Sequence, residues 1–141
     1  ADMPSKSNYL IERPRITAEN SVNNEVNNKI FIIENDEAMT LLLNTILDLQ
    51  GYDVTVINNY EKIPECTPAL IILDAGSIDT LKGIEICRQI RKNPNFDKTK
   101  VILTSVYHDK ELVLNAGADL YIPKPYEISN LIKWIEKLLN T

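Results

Sequence analysis

The chain has 141 residues, 44% of them apolar and 25% charged, with a formal net charge of −5; that describes one domain with enough chain to bury a core. The acidic balance argues against a nucleic-acid-binding surface, which needs a basic patch, and no apolar run reaches membrane-spanning length or reads as a secretory signal before the first strand. Cys66 and Cys87 match no metal spacing and form no disulfide framework, so a reducing cytoplasm is the expected setting.

Residues 1–28 contain six asparagines, including the near-repeat VNNEVNN, and little apolar periodicity, which reads as a flexible leader or linker. Within it only NYLIERPRI offers a short strand or a docking segment. From Lys29 onward, apolar runs alternate with helical patterns. KIFII (29–33) is a short run rich in β-branched residues. EAMTLLLNTILDLQ (37–50) places Met39, Leu42, Leu43, Ile46 and Leu49 at helical spacing, with Gly51 as a stop. YDVTVI (52–57) is a second strand. Only NNYEKIPECT separates it from the third, and Pro64 interrupts that stretch, so the second helix is expected to be one turn or irregular. PALIILD (68–74) has the unbroken apolar character of a strand covered on both faces. GIEICRQIRK (83–92) follows as a helix, with Cys87 as a small core residue, whereas Cys66 falls in a loop. KVILTS (100–105) is a strand, DKELVLNAG (109–117) a compact helix with a glycine stop, and DLYI (119–122) a brief strand. The last helix, 127–139, sets Ile128, Leu131, Ile132, Ile135, Leu138 and Leu139 on one face.

Five strands alternating with helices predict a parallel sheet with helices on both faces, an α/β doubly wound fold. Right-handed crossovers leave the flavodoxin-like order 2-1-3-4-5 as the natural topology. All strands then point their C-terminal ends at one edge. Along that edge the first strand delivers Glu34, Asn35 and Asp36, the third Asp74, the fourth Thr104 and Ser105, and the fifth leads to Lys124 and Pro125. Taken singly, each has an ordinary explanation: Asp36 as a helix cap, Thr104 as a β-branched strand residue, Lys124 as a solvated loop residue, Tyr121 as a ring packed on the last helix. Jointly they describe a site. Converging carboxylates repel one another and call for a cation, and oxygen ligands suit Mg²⁺. A lysine and a hydroxyl beside them suit a phosphoryl group, with a central carboxylate as nucleophile.

The segment 29–141 resembles a CheY-like response-regulator receiver domain of two-component signalling, on the strength of KIFIIENDE, PALIILDAGS, VILTS and AGADLYIPKP. The resemblance implies that Asp74 accepts phosphate from a histidine kinase or a histidine phosphotransfer protein. It implies that Glu34, Asn35, Asp74 and the backbone carbonyl of Gly76 hold Mg²⁺. Lys124 would contact the phosphoryl group, Thr104 and Tyr121 would form the switch, and the Lys124–Pro125 bond would be cis. A downstream protein partner, or a second copy in a homodimer, would use the face made by the helix 109–117, the strand 119–122 and the last helix; no direct nucleic acid or membrane contact is expected. Such a chain is a signalling switch with self-catalysed phosphotransfer, not a turnover enzyme. It is a stand-alone regulator or one whose output lies upstream of the leader.

The sequence also departs from that family. Asn35 stands where the family usually has a metal-bound aspartate, which removes a negative charge and predicts weaker Mg²⁺ binding. The loop AGSIDTLKG lacks the family's usual proline and is one residue longer before Gly83. Gly76 and Val106 are without polar side chains at positions where the family tunes phosphate lifetime. These features keep open a phosphorylation-independent pseudo-receiver acting as a protein-binding module. A haloacid-dehalogenase-like phosphatase would need an aspartate at position 76, and a flavodoxin would need a hydroxyl- and glycine-rich loop in place of ENDEAM. His108, the one histidine, falls in the loop after the fourth strand and joins no ligand cluster.

Overall fold

The computed structural model describes residues 27–34, 36–58, 62–74, 80–106 and 110–140. In chain order these form β1 (Lys29–Ile33), α1 (Glu37–Leu49), β2 (Asp53–Val56), β3 (Leu70–Asp74), α2 (Thr80–Lys92), a 3₁₀ turn (Pro94–Phe96), β4 (Lys100–Ser105), α3 (Lys110–Asn115), β5 (Leu120–Pro123) and α4 (Ile128–Leu139). All neighbouring strands pair in parallel, in the order β2-β1-β3-β4-β5. The flavodoxin-like arrangement expected from the alternation is the one observed.

The pleat explains how this sheet makes two cores. Successive side chains on a strand point to opposite faces. Phe31, Ile71, Leu73, Val101 and Leu103 therefore meet Ile84, Cys87, Ile90, Phe96 and Val113 on one side. Ile30, Ile32, Leu70, Ile72, Ile102 and Ile122 meet Leu43, Leu47, Leu131 and Ile135 on the other. Every residue from Leu70 to Leu73 is buried, as a strand covered on both faces requires. Full burial of each such side chain stabilises by about 1.5–3 kcal/mol.

Asp36 starts α1, its carboxylate accepting from the Met39 amide at 3.1 Å, so the capping role is real. At the other end Gly51 takes the left-handed conformation, φ 97°, which a side chain would resist. Nearby, the side-chain amides of Asn27 and Asn28 donate to the carbonyls of Thr67 and Gly51 at 2.9 and 2.8 Å, tying the start of the domain to its loops.

Three expectations need correction. Leu42 and Leu49, assigned to the apolar face of α1, are 45% and 79% exposed, while Leu43 and Leu47 are fully buried. Apolar residues spread well around the helix on either side of a polar stripe at Glu37, Thr40, Asn44 and Asp48, and the sheet selects the stripe through Met39, Leu43 and Leu47, four residues apart. Second, α2 begins at Thr80 and not at Gly83; Gly83 is buried inside the helix, where a small residue permits close packing. Third, β5 runs one residue later than expected, ending at Pro123. The short link between β2 and β3 contains no α-helix among the described residues 62–69, and Ile63 packs against the Phe31 cluster in its place. The helix α3 is compact, with six residues. Cys87 is buried and Cys66 exposed, both free thiols.

Candidate functional site

The same period of two that divides the core also assembles the site. Asp74 closes β3 and is paired in the register with Thr104, the last residue but one of β4. Each lies two residues beyond a core isoleucine, Ile72 or Ile102, and so continues that row on the α1–α4 face of the sheet. Glu34 follows Ile32 and Lys124 follows Ile122 by the same step, each just past its strand. Four even-numbered positions thus reach the C-terminal edge on one side.

There the side chains meet. The Lys124 ammonium lies 3.1 Å from Asp74 Oδ1 and 3.3 Å from Glu34 Oε2. The two carboxylate side chains are only 6% and 1% exposed, and the lysine 20%. Glu34 Oε2 also accepts from the Asp36 amide at 3.3 Å. Thr104 is fully buried, and its hydroxyl has no hydrogen-bond partner among the described residues. The Lys124–Pro125 bond is cis, as expected. Tyr121 faces another way: its hydroxyl donates to the Ser105 carbonyl at 3.3 Å, the same oxygen that accepts from the Lys124 amide at 2.9 Å.

Two buried carboxylates share one ammonium, so the pocket carries an excess negative charge. Burial, and then the hydrogen bond and charge of Asp74, push the Glu34 carboxyl up from 4.5 to about 7; Lys124 and the Asp36 amide only partly oppose this. For Lys124, burial disfavours the charged form, but attraction to Asp74 and Glu34 and the hydrogen bonds to both outweigh it and raise its pKa. A hard divalent cation fits such a donor set, because it favours carboxylate oxygens and would relieve their repulsion. No group of three His, Cys, Asp or Glu side chains converges among the described residues. A cation here would complete its shell from water, backbone or ligand oxygens. Asn35 and Gly76, the other expected ligands, lie outside the described residues, as does His108.

One pocket residue escaped the sequence reading. Tyr126 packs its ring against the cluster containing Ile32, Ile72, Ile102 and Ile122, the residues that precede the four site positions. Its hydroxyl is buried without a partner among the described residues. The only signal in the sequence was its place two residues after Lys124.

The response regulator receiver domain profile matches residues 30–136. The chain belongs to that family. Among curated relatives of the receiver domain, the phosphate regulon transcriptional regulatory protein PhoB of Rhizobium meliloti is 33% identical over 118 residues, covering 79% of this chain and 52% of the relative. The response regulator ArlR of Staphylococcus saprophyticus is 34% identical over 115 residues, again 79% of this chain and 52% of the relative. The chain therefore spans about half the length of these curated relatives. A CheY-like receiver domain protein from Methanospirillum hungatei superposes with a TM-score of 0.70 at 28% identity, over 79% of this chain and 93% of the other. The receiver domain of the sensor histidine kinase PA1611 from Pseudomonas aeruginosa shares the fold, with a TM-score of 0.65 at 20% identity over 82% of this chain and all of the other. That structure has magnesium coordinated in its active-site cleft. As a receiver domain the chain is a signalling module, not a classical enzyme. No described helix is long and apolar enough to cross a membrane.

Proposed function

We propose that this receiver domain is phosphorylated on Asp74 by a phosphohistidine of a kinase or phosphotransfer protein. The observation that carries the reading is the ammonium of Lys124 held 3.1 Å from a nearly buried Asp74, beside a Thr104 hydroxyl that still has a bond to give. An Asp74 oxygen forms a bond to phosphorus as the P–N bond breaks, and the leaving imidazole nitrogen keeps the electron pair. Lys124 offsets the charge on the phosphoryl oxygens, and the Thr104 hydroxyl donates to one of them. Mg²⁺ would be held by Glu34 and Asp74, with Asn35 and the Gly76 carbonyl as the resemblance implies, and would supply charge neutralisation for the incoming group. Drawing the Thr104 hydroxyl toward the phosphoryl group would then be felt at Tyr121 through β4 and the Ser105 carbonyl. The readout surface is the face of α3, β5 and α4, which a protein partner or a second copy would read. One of the named relatives, PhoB of Rhizobium meliloti, is a transcriptional regulatory protein, so gene control by a longer protein is the output this reading favours.

The test is Asp74→Asn. Beryllofluoride with Mg²⁺ is expected to shift amide resonances around β3, β4 and β5 in the wild type and to leave the variant unchanged; equal responses would overturn the proposal. A second reading, a pseudo-receiver that acts by contact alone, is favoured by Asn35 in place of a carboxylate. Saturation by Mg²⁺ only far above the millimolar range would support it.

A further inference from the structure

The hydroxyl of Tyr126 is the second of the two buried, unpartnered side-chain polar atoms among the described residues, the first being Thr104 Oγ1. A phenylalanine would fill the same space without that oxygen. Burying a hydroxyl with no partner costs about 1–3 kcal/mol, so its presence needs a reason. Three placements supply one. Tyr126 lies two residues beyond Lys124, whose ammonium touches both carboxylates. Its ring packs against the sheet face whose strand rows end in Glu34, Asp74 and Thr104. Burial first, and then the charges of Glu34 and Asp74, push the phenol up to about 12, so it remains a neutral O–H donor that feels the charge of both acids.

We infer that Tyr126 is a positioning residue of the cation site: its hydroxyl donates a hydrogen bond to the Glu34 carboxylate, directly or across one water, when a divalent cation is held between Glu34 and Asp74. The inference rests on the proposed cation site. Without the cation, Glu34 is engaged by Asp74, Lys124 and the Asp36 amide. A cation that takes up Asp74 frees one side of Glu34. A carboxylate that both ligates a metal and accepts from a neighbouring donor is fixed in orientation, and removing such an outer partner typically weakens metal affinity 10–100-fold. Asn35 removes a charge from the expected ligand set, so orientation of the remaining carboxylate matters more.

Tyr126→Phe tests this, with Tyr52→Phe as control. Tyr52 packs against the same cluster, but the charge its hydroxyl meets is that of Glu136. Mg²⁺ is titrated into the full chain and followed by amide shifts and calorimetry, with thermal unfolding recorded metal-free. Y126F is expected to bind Mg²⁺ roughly tenfold more weakly, to be as stable as the wild type or more so without metal, and to lack a tyrosine ring-carbon shift that Mg²⁺ produces in the wild type. Y52F is expected to match wild-type affinity. Equal affinities in the wild type and Y126F would overturn the inference while leaving the cation site standing. A metal-free Y126F that is less stable would make the hydroxyl structural and overturn it as well. Failure of the wild type itself to bind Mg²⁺ would overturn both this inference and the proposed site.

Discussion

At Glu34 proton binding and stability are coupled, and the proposed cation would couple to both. Its carboxyl titrates at about 7 in the folded chain, against 4.5 ordinarily, so the metal-free fold binds a proton that the unfolded chain has already released. This group's contribution to stability is complete below pH 4.5 and is lost as pH rises through 7. A cation reverses the balance because it requires the ionised form. Mg²⁺ affinity is therefore expected to rise between pH 6 and 8, and the stabilisation given by saturating Mg²⁺ to be larger at pH 8 than at pH 6. Paired melting curves with and without Mg²⁺ check this; a pH-independent difference would refute it. Glu34, Asp74, Thr104 and Lys124 could be found in the sequence because parallel strand ends share an edge. Tyr126 could not, because its place is set by how a ring packs after the last strand. Nor could the convergence of Lys124 on both acids at once be read from spacing, since side-chain reach decides it.

The elements show how far periodicity alone can go. α1 carries leucine or isoleucine at positions 41, 42, 43, 46, 47 and 49, so several overlapping stripes on it look apolar. Choosing among them requires knowing where β1 and β3 lie. The last helix was unambiguous because its apolar residues occupy one face, with Leu131 and Ile135 buried at its centre. The distinction within α1 is measurable. Leu43→Ala should cost about 2–5 kcal/mol in urea unfolding, as core truncations do. Leu49→Ala, at a site 79% exposed, should change stability by less than about 0.5 kcal/mol. Comparable losses would mean that α1 is seated differently on the sheet. The helix α2 starts three residues before the apolar pattern that opens at Gly83, because a buried glycine can serve packing inside a helix.

Across the whole molecule, the strand ends opposite the pocket are held by Arg91. Its guanidinium donates to the carbonyls of Gly117, Phe96 and Thr99 at 2.7, 3.0 and 2.6 Å, and it pairs with Asp119 at 2.7 Å. Asp119 in turn accepts from the Val101 amide at 2.8 Å. One side chain thereby joins the end of α2, the 3₁₀ turn and the approaches to β4 and β5. Arg91→Ala leaves several carbonyls without their donor and should cost about 3 kcal/mol. Mg²⁺ affinity at the far edge should be unchanged; a loss there would show that the two ends of the sheet are not independent. The topology and both cores were accessible from alternation in the sequence. This clasp was not, because it joins four separate segments through one long side chain.

Glu34, Asp74, Thr104 and Lys124 all sit at even positions, each one pleat beyond a core isoleucine. The chain therefore has a parity that its loops do not share. Inserting one residue within β3 would send Asp74 to the face where Phe31 and Leu103 lie, however well the strand still paired. Two residues would restore the face at the cost of pushing the carboxylate outward. A change of length that keeps the pocket therefore belongs in the connections, and within a strand only an even number of residues keeps the face.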